Sequence, residues 1–322
     1  MGQFDGRATK PARNLGDILR WRFLDPLTGR GVSEPEAWAS ELPAFDRESV
    51  PDDSTFLTPR RDNDCRCLVE TQPSLTWIGH ASFTLRLGGL LMALDPIWRG
   101  GFGPRRRHSP PGLPLTEVAA STDVVLISHN HFDHLDMGSL KAFGDRPLYV
   151  VPLGNAQTLA ELSADVVELD WWESHEHQGV RYTLVPARHW SMRMPWTRNE
   201  ALWGGFVIES AEGVAYHSGD TAYFEGFREI ARRCPPIDWA MLPIGAYDPR
   251  WFMRPQHMCP EEAGQAFLDL QAKHLVAMHW GTFKLTDEKL AEPPLRLRHW
   301  AEARGVPVDS VWIMDVGETR AL

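Results

Sequence analysis

From Leu75 onward the apolar residues of this chain gather into short runs bounded by Gly, Pro and Asp, the length and punctuation of buried strands. The stretch "SLTWIGHASFTLRLGGLLMALDP" predicts a strand, a turn, then two strands joined at Gly88-Gly89, where glycine supplies the positive φ of a tight hairpin. Further strands are predicted at "DVVLIS", "PLYVVP", "VVELD", "RYTLVPA", "GGFVIES", "GVAYHSGD", "WAMLPIG", "LVAMHW" and "SVWIMDV". Between them, helical spacing predicts helices at about 137–143, 154–163, 225–233, 260–271 and 293–304. Many strands with interspersed helices imply a layered α/β domain.

The first residues read differently. Residues 1–13 are polar and rich in Gly, Arg and Lys, which predicts a disordered tail. "NLGDILRWRFLDP" predicts a helix over 14–24, capped by Asn14, with Asp17 in its first turn, a stripe of Leu15, Ile18, Leu19 and Phe23, and a stop at Pro26. That stripe suits packing on the parent domain or contact with lipid, and Arg20 and Arg22 within it leave membrane docking open. No short repeat and no long Gly/Ser or Pro linker divides the rest, so a single domain over 14–322 is expected, with an N-terminal helical extension at 14–72.

Composition narrows the class. With 43% apolar and 24% charged residues the chain is globular, and 14 Trp suggest aromatic-walled pockets. A net charge of −10 argues against a nucleic-acid partner, because phosphate backbones need clustered Lys and Arg. "GPRRRHSPPG" is a local exception: Arg105, Arg106, Arg107 and His108 suit an anionic substrate, a lipid head group or simply solvent. Cys65, Cys67, Cys234 and Cys259 show no C-x-x-C spacing and read as reduced thiols. The N-terminus has no apolar leader, position 6 is Gly6 rather than the Ser or Thr of a myristoylation motif, and no run approaches a membrane span. A cytoplasmic protein, with or without peripheral membrane contact, is therefore expected, and a homodimer is left open.

The chemistry concentrates in "SHNHFDHLD", directly after the apolar run "DVVLI". His129, His131, Asp133 and His134 follow a buried strand within one loop, and imidazole and carboxylate at that density suit zinc or another borderline divalent metal. Four ligands in six residues can serve two metals. More donors are expected from His189, Asp220 and His279, each of which terminates an apolar strand. If those strands run the same way in adjoining sheets, their ends meet at one edge. Asp136 more plausibly caps the helix starting near Met137.

These residues resemble the metallo-β-lactamase superfamily, whose H-x-H-x-D-H signature stands here as His129-Asn130-His131-Phe132-Asp133-His134, followed in order by His189, Asp220 and His279. Within it the chain is most similar to the N-acyl-phosphatidylethanolamine-hydrolysing phospholipase D family, through "TWIGHASF", "LDPIW", "GPRRRHSP", "ELDWWE", "GDTAYF", "PIGAYDPRWFM", "QHMCPEEA" and "HWGTF". The resemblance implies a four-layer αβ/βα sandwich with two zinc ions at the open edge of its sheets. His129, His131 and His189 would hold one ion, Asp133, His134 and His279 the other, and Asp220 would bridge them. Asp95 and His80 would act behind the ligands. Asp133, Asp220 and His257 would be catalytic, with His257, Gln256 and Trp190 at the substrate.

The implied reaction is attack of metal-activated water on phosphorus, releasing an alcohol and a phosphorylated lipid. Trp190, Met192, Met194 and Trp196, beside His189, suit an acyl chain, a lid or a dimer contact. Two other readings remain open: a lactonase, esterase or soluble phosphodiesterase on the same scaffold, and a metal-binding protein without turnover.

Overall fold

The computed structural model describes residues 42–322 and, ahead of them, residues 3, 4, 7, 16, 17 and 20. Most of the expected tail and most of the helix expected over 14–24 lie outside the described residues, but within the tail Phe4 is buried in the core and Arg7 pairs with Asp170. Within 42–72 the described residues hold one 3-10 turn, Arg66–Leu68.

The first half of the chain forms β1 (Ser74–Gly79), β2 (Ser82–Leu87), β3 (Leu90–Leu94), a small hairpin of β4 (Gly101–Phe102) and β5 (Arg105–Arg106), β6 (Val124–Leu126), β7 (Leu148–Pro152) and β8 (Val166–Leu169). The second half forms β9 (Ser174–His177), β10 (Val180–Val185), β11 (Gly205–Ser210), β12 (Gly213–His217), β13 (Trp239–Pro243), β14 (His274–Met278), β15 (Val311–Trp312) and β16 (Thr319–Ala321). Two seven-stranded sheets result, in the orders β16-β1-β2-β3-β6-β7-β8 and β15-β14-β13-β12-β11-β10-β9. Each sheet is antiparallel at one end and parallel at the other. Among the described strands of the second half, β16 alone crosses back, to pair with β1.

Strand periodicity explains the layers. Along β3, Leu90, Met92 and Leu94 belong to the core shared with the second sheet, while Leu91 and Ala93 belong to a separate cluster. That second cluster also takes Val118, Ala119, Leu140 and Phe143, from helices α1 (Leu115–Ser121) and α2 (Met137–Phe143). Side chains two apart thus face the same layer, and the sheet is buried on both faces. After the short α3 (Ala156–Leu159), the second sheet is covered by α4 (Gly226–Arg233), and, beyond the single turn α5 (Arg250–Met253), by α6 (Pro260–Leu270) and α7 (Glu292–Arg304). Phe227, Ile230, Ala263, Phe267, Leu297 and Trp300 carry the contact. The order helix, sheet, sheet, helix is the expected four-layer sandwich.

Most elements lie where the pattern placed them, including the hairpin at Gly88 (φ 62°) and Gly89 (φ 78°), whose paired positive φ only a primed turn requires. The expected helix at 154–163 is shorter, being α3 plus a 3-10 turn at Ala160–Leu162. The pattern missed β9, because its Ser-His-Glu-His sequence sits on a half-exposed edge and has no apolar alternation. It also missed α1 and α5, which are too short to show a helical period.

Strand direction is what positions the site. β1, β3 and β6 run one way in the first sheet, and β10, β12 and β14 share a direction in the second. His80, Asp95 and the 129–134 loop therefore leave one edge of the first sheet, while His189, Asp220 and His279 leave one edge of the second. Trp77 of β1 stacks on Trp280, just past β14, at 5.2 Å, which locks the two edges together.

Candidate metal centre

The loop after β6 is shaped by Asp95, at the end of β3. Its carboxylate accepts hydrogen bonds from Ser128 N (2.7 Å), Ser128 Oγ (2.6 Å) and His134 Nδ1 (2.7 Å). One buried acid thus fixes both the entry of the loop and the ring of His134. The amides of His134 and Leu135 donate to His131 O, closing a tight turn that points His129, His131, Asp133 and His134 inward. Arg193 clasps this turn from outside, donating to Asn130 O (3.2 Å) and Leu135 O (2.6 Å), with its guanidinium over Phe132 at 4.1 Å. Asp136 caps α2, accepting from Ser139 N and Oγ.

Three imidazole nitrogens converge. His129 Nε2 lies 2.9 Å from His131 Nδ1, and His189 Nε2 lies 3.1 Å from the same atom. Nitrogens about 2.0–2.1 Å from a tetrahedral zinc are about 3.3 Å apart, so the triad is close to the spacing of a ligand set. His189 is turned by its other nitrogen, which donates to Gln256 O at 3.0 Å. A second set joins His80, Asp133, His134 and His279, whose donor atoms lie within 4.8 Å of one another.

Asp220 stands between the two sets. Its Oδ2 is 3.2 Å from His134 Nε2, 3.8 Å from His189 Nε2 and 3.9 Å from His129 Nε2, while Oδ1 is 3.0 Å from His279 Nε2. Yet His134 Nε2, His279 Nε2 and Asp220 Oδ1 are buried with no hydrogen-bond partner. Buried polar atoms this close but unaligned for hydrogen bonding are costly unless a cation lies among them. The residues present therefore fit divalent metal binding. The backbone agrees: His80 (φ 58°), Asp95 (φ 39°) and His279 (φ 65°) all adopt left-handed conformations, the strain that functional sites retain.

Charge at this edge is unevenly held. Burial pushes His131 down to about 3, His189 to about 4 and His80 to about 3, and pushes His129 and His257 well below the usual imidazole range. Their lone pairs are free for a metal. His134 goes the other way: burial disfavours its charge, but Asp220 and Asp95 outweigh burial and hold its proton. Asp220 and Asp133 stay ionised although burial opposes it, Asp220 through His134 and His279, Asp133 through His80 and His134.

Each expected site residue can now be placed. The seven expected ligands meet at one edge. His80 lies inside the second set, its Nε2 donating to Asp133 Oδ2 (3.1 Å) and its ring 4.0 Å from that of His279. His257 is buried over Asp220 and His279, its ring 5.1 Å from that of His189 and its Nδ1 without a partner. Trp190 meets His131 edge-on at 4.5 Å. Gln256 takes part through its carbonyl, while its side chain turns to Met253 Sδ (3.7 Å). Sequence reasoning missed Arg193 and His217. Buried at the end of β12, His217 donates to Ala81 O (2.9 Å) and tethers the sheets behind Asp95. Its place three residues before Asp220 was the available signal.

Two sheets with a His/Asp edge at their strand ends define a metal-binding scaffold. The beta-lactamase superfamily domain matches residues 92–280, and this chain belongs to that family. It is 37% identical over 250 residues to an uncharacterized protein of Mycobacterium tuberculosis, covering 73% of this chain and 66% of that one. It is 34% identical over 265 residues to N-acyl-phosphatidylethanolamine-hydrolyzing phospholipase D 1 of Caenorhabditis elegans, covering 76% of this chain and 74% of that one. The fold matches Igni18, a metallo hydrolase of Ignicoccus hospitalis, with a TM-score of 0.62 at 22% identity over 78% of this chain and 99% of that one. The chain thus belongs to the beta-lactamase superfamily, and it is 32% identical over 241 residues to a UPF0173 metal-dependent hydrolase of Myxococcus xanthus, covering 71% of this chain and 78% of that one. Its cysteines are free, and no helix among the described residues is long and apolar enough to cross a membrane.

Proposed function

We propose that this chain is a dinuclear zinc phosphodiesterase that hydrolyses N-acyl-phosphatidylethanolamine-type glycerophospholipids at the bond a phospholipase D cleaves. The observation that carries the reading is Asp220, whose Oδ2 lies 3.8 and 3.9 Å from His189 and His129 of one ligand set and whose Oδ1 lies 3.0 Å from His279 of the other. His129, His131 and His189 would hold one ion and Asp133, His134 and His279 the other. When bound, such a pair lowers the pKa of water toward neutrality and polarises phosphate oxygens.

The chain's own residues supply the rest. Asp133, ionised and held by His80 at 3.1 Å, accepts the proton that water loses. His257, kept neutral by burial, offers one ring N–H as a hydrogen bond to a phosphate oxygen. Water adds at phosphorus, the P–O bond to the N-acylethanolamine breaks, the proton taken up by Asp133 would pass to the departing alkoxide, and a phosphatidic acid and a neutral alcohol leave. The surroundings suit a lipid. A depression of about 460 Å³ beside the metal loop is lined by Trp98, Leu115, Phe132 and Met137 together with Arg99 and Arg193. Phe132, Met194 and Trp196 stand exposed around the ligand loops, Trp196 at 72%. Similarity to the nematode phospholipase D points the same way.

Side-by-side steady-state rates on an N-acyl-phosphatidylethanolamine and an N-acyl homoserine lactone, with metal content measured in the same preparation, test the assignment. Faster turnover of the phospholipid with two zinc ions per chain is expected. Preference for the lactone would replace the phosphodiesterase by a lactonase, and one ion per chain would remove the dinuclear mechanism.

A further inference from the structure

Arg250 opens α5 and Glu262 stands in the first turn of α6, and their side chains meet at 2.7 Å with 12% and 3% of their surface exposed. Burying two charges costs about as much as their attraction returns, so such a pair is a poor device for stability alone. Its other bonds suggest what it holds. Arg250 Nη1 donates to His257 O at 3.0 Å, and Glu262 accepts from Cys259 N at 3.0 Å. The pair thereby grips the backbone at both ends of the segment 257–259.

That segment and the residue before it each touch the metal edge again. Met258 N donates to Thr221 O (3.1 Å), one residue past Asp220, and the carbonyl of Gln256 receives His189 Nδ1. The His257 ring is packed against the rings of His189 and His279 at 5.1 and 5.5 Å, but its Nδ1 has no hydrogen-bond partner to orient it, so its backbone matters to where it stands. We propose that the Arg250–Glu262 pair is a positioning device, which sets where the His257 imidazole stands over the Asp220–His279 edge. The proposal rests on the assignment of His257 to the phosphate side of that edge. It also gives "PIGAYDPRWFM" and "QHMCPEEA" a physical purpose, since each string carries one partner of the pair.

A double-mutant cycle on the full chain tests it, using Arg250→Gln, His257→Ala and the double variant with bis(4-nitrophenyl) phosphate as substrate. Arg250→Gln is expected to lower kcat about 10- to 100-fold with KM changed less than about threefold, as displacement of a catalytic group does. In the His257→Ala background the same change should cost less than about threefold. Arg250→Lys keeps the charge pair but cannot also reach His257 O, and should lose kcat to an intermediate degree while folding normally.

A second measurement does not need turnover: the cobalt(II)-loaded proteins are titrated with inorganic phosphate and followed by absorption. Arg250→Gln should weaken phosphate binding in step with His257→Ala. Losses that multiply in the cycle, wild-type kcat in Arg250→Lys, or unchanged phosphate affinity in Arg250→Gln would each overturn the positioning role. A wild type that binds phosphate normally but leaves the diester intact would overturn the phosphodiesterase assignment instead.

Discussion

Asp95 points away from the converging nitrogens, yet it holds His134 and Ser128 together from behind. Carboxylates in that position set the tautomer and tilt of a ligand imidazole. Asp95→Ala should therefore weaken metal binding about 10- to 100-fold in chelator competition, with an unchanged circular dichroism spectrum. Unaltered affinity would show that His134 needs no support. Protons compete at the same residues. His131, His189 and His80 titrate near 3 to 4 in the fold but near 6.5 when unfolded, so the unfolded chain binds more protons between those values. In the metal-free protein, the stability they contribute is complete above about pH 6.5 and falls on acidification, as the unfolded chain takes up protons that the buried rings refuse. His134, with its raised value, opposes this, contributing stability below 6.5 that is lost as pH rises. Denaturant unfolding of the metal-free protein between pH 7 and 5 should show the net loss, and a flat profile would mean these rings are not buried neutral.

At the scale of elements, the ligand loops were legible because each follows a run of buried strand residues, a pattern that survives without any knowledge of pairing. What stayed hidden was contact between loops. Gly219, with φ 58°, precedes Asp220, and a Cβ there would stand 2.5 Å from the Ser128 Cβ beside His129. Two loops from different sheets can approach only because one of them has no side chain. Gly219→Ala should separate them and reduce metal affinity at least about tenfold, with the fold retained, in the same chelator assay. Nothing local in the sequence marks this, since the glycine reads as an ordinary turn residue. Arg193 and the pair of Arg250 with Glu262 were hidden for the same reason: each looks like a surface charge until the fold buries it. The edge strand β9 escaped because half-exposed polar strands carry no alternation to read.

Across the whole molecule, neither sheet owns the site. The first provides His129, His131, Asp133 and His134, and the second provides His189, Asp220 and His279. Metal that binds only the folded state stabilises it by about 2.7 kcal/mol at a hundred times its Kd. Zinc should accordingly raise the Tm, and a strong chelator should lower it while the two halves unfold in one transition. Separate transitions after chelation would mean that the shared core, not the metal edge, joins the sheets. The placement of β16 beside β1 adds a covalent-order constraint, since the first sheet is complete only when the last strand pairs with the first.

This division also sets a timetable for the chain during its own synthesis. Chains emerge from the N-terminus, so the loop of His129 to His134 is exposed to cellular metal long before Asp220 or His279 exists. A half-made chain offers an imidazole cluster without Asp220 and His279, an incomplete donor set. The full donor set exists only once β14 has paired and brought His279 across, so a chain cut short of it cannot complete the site.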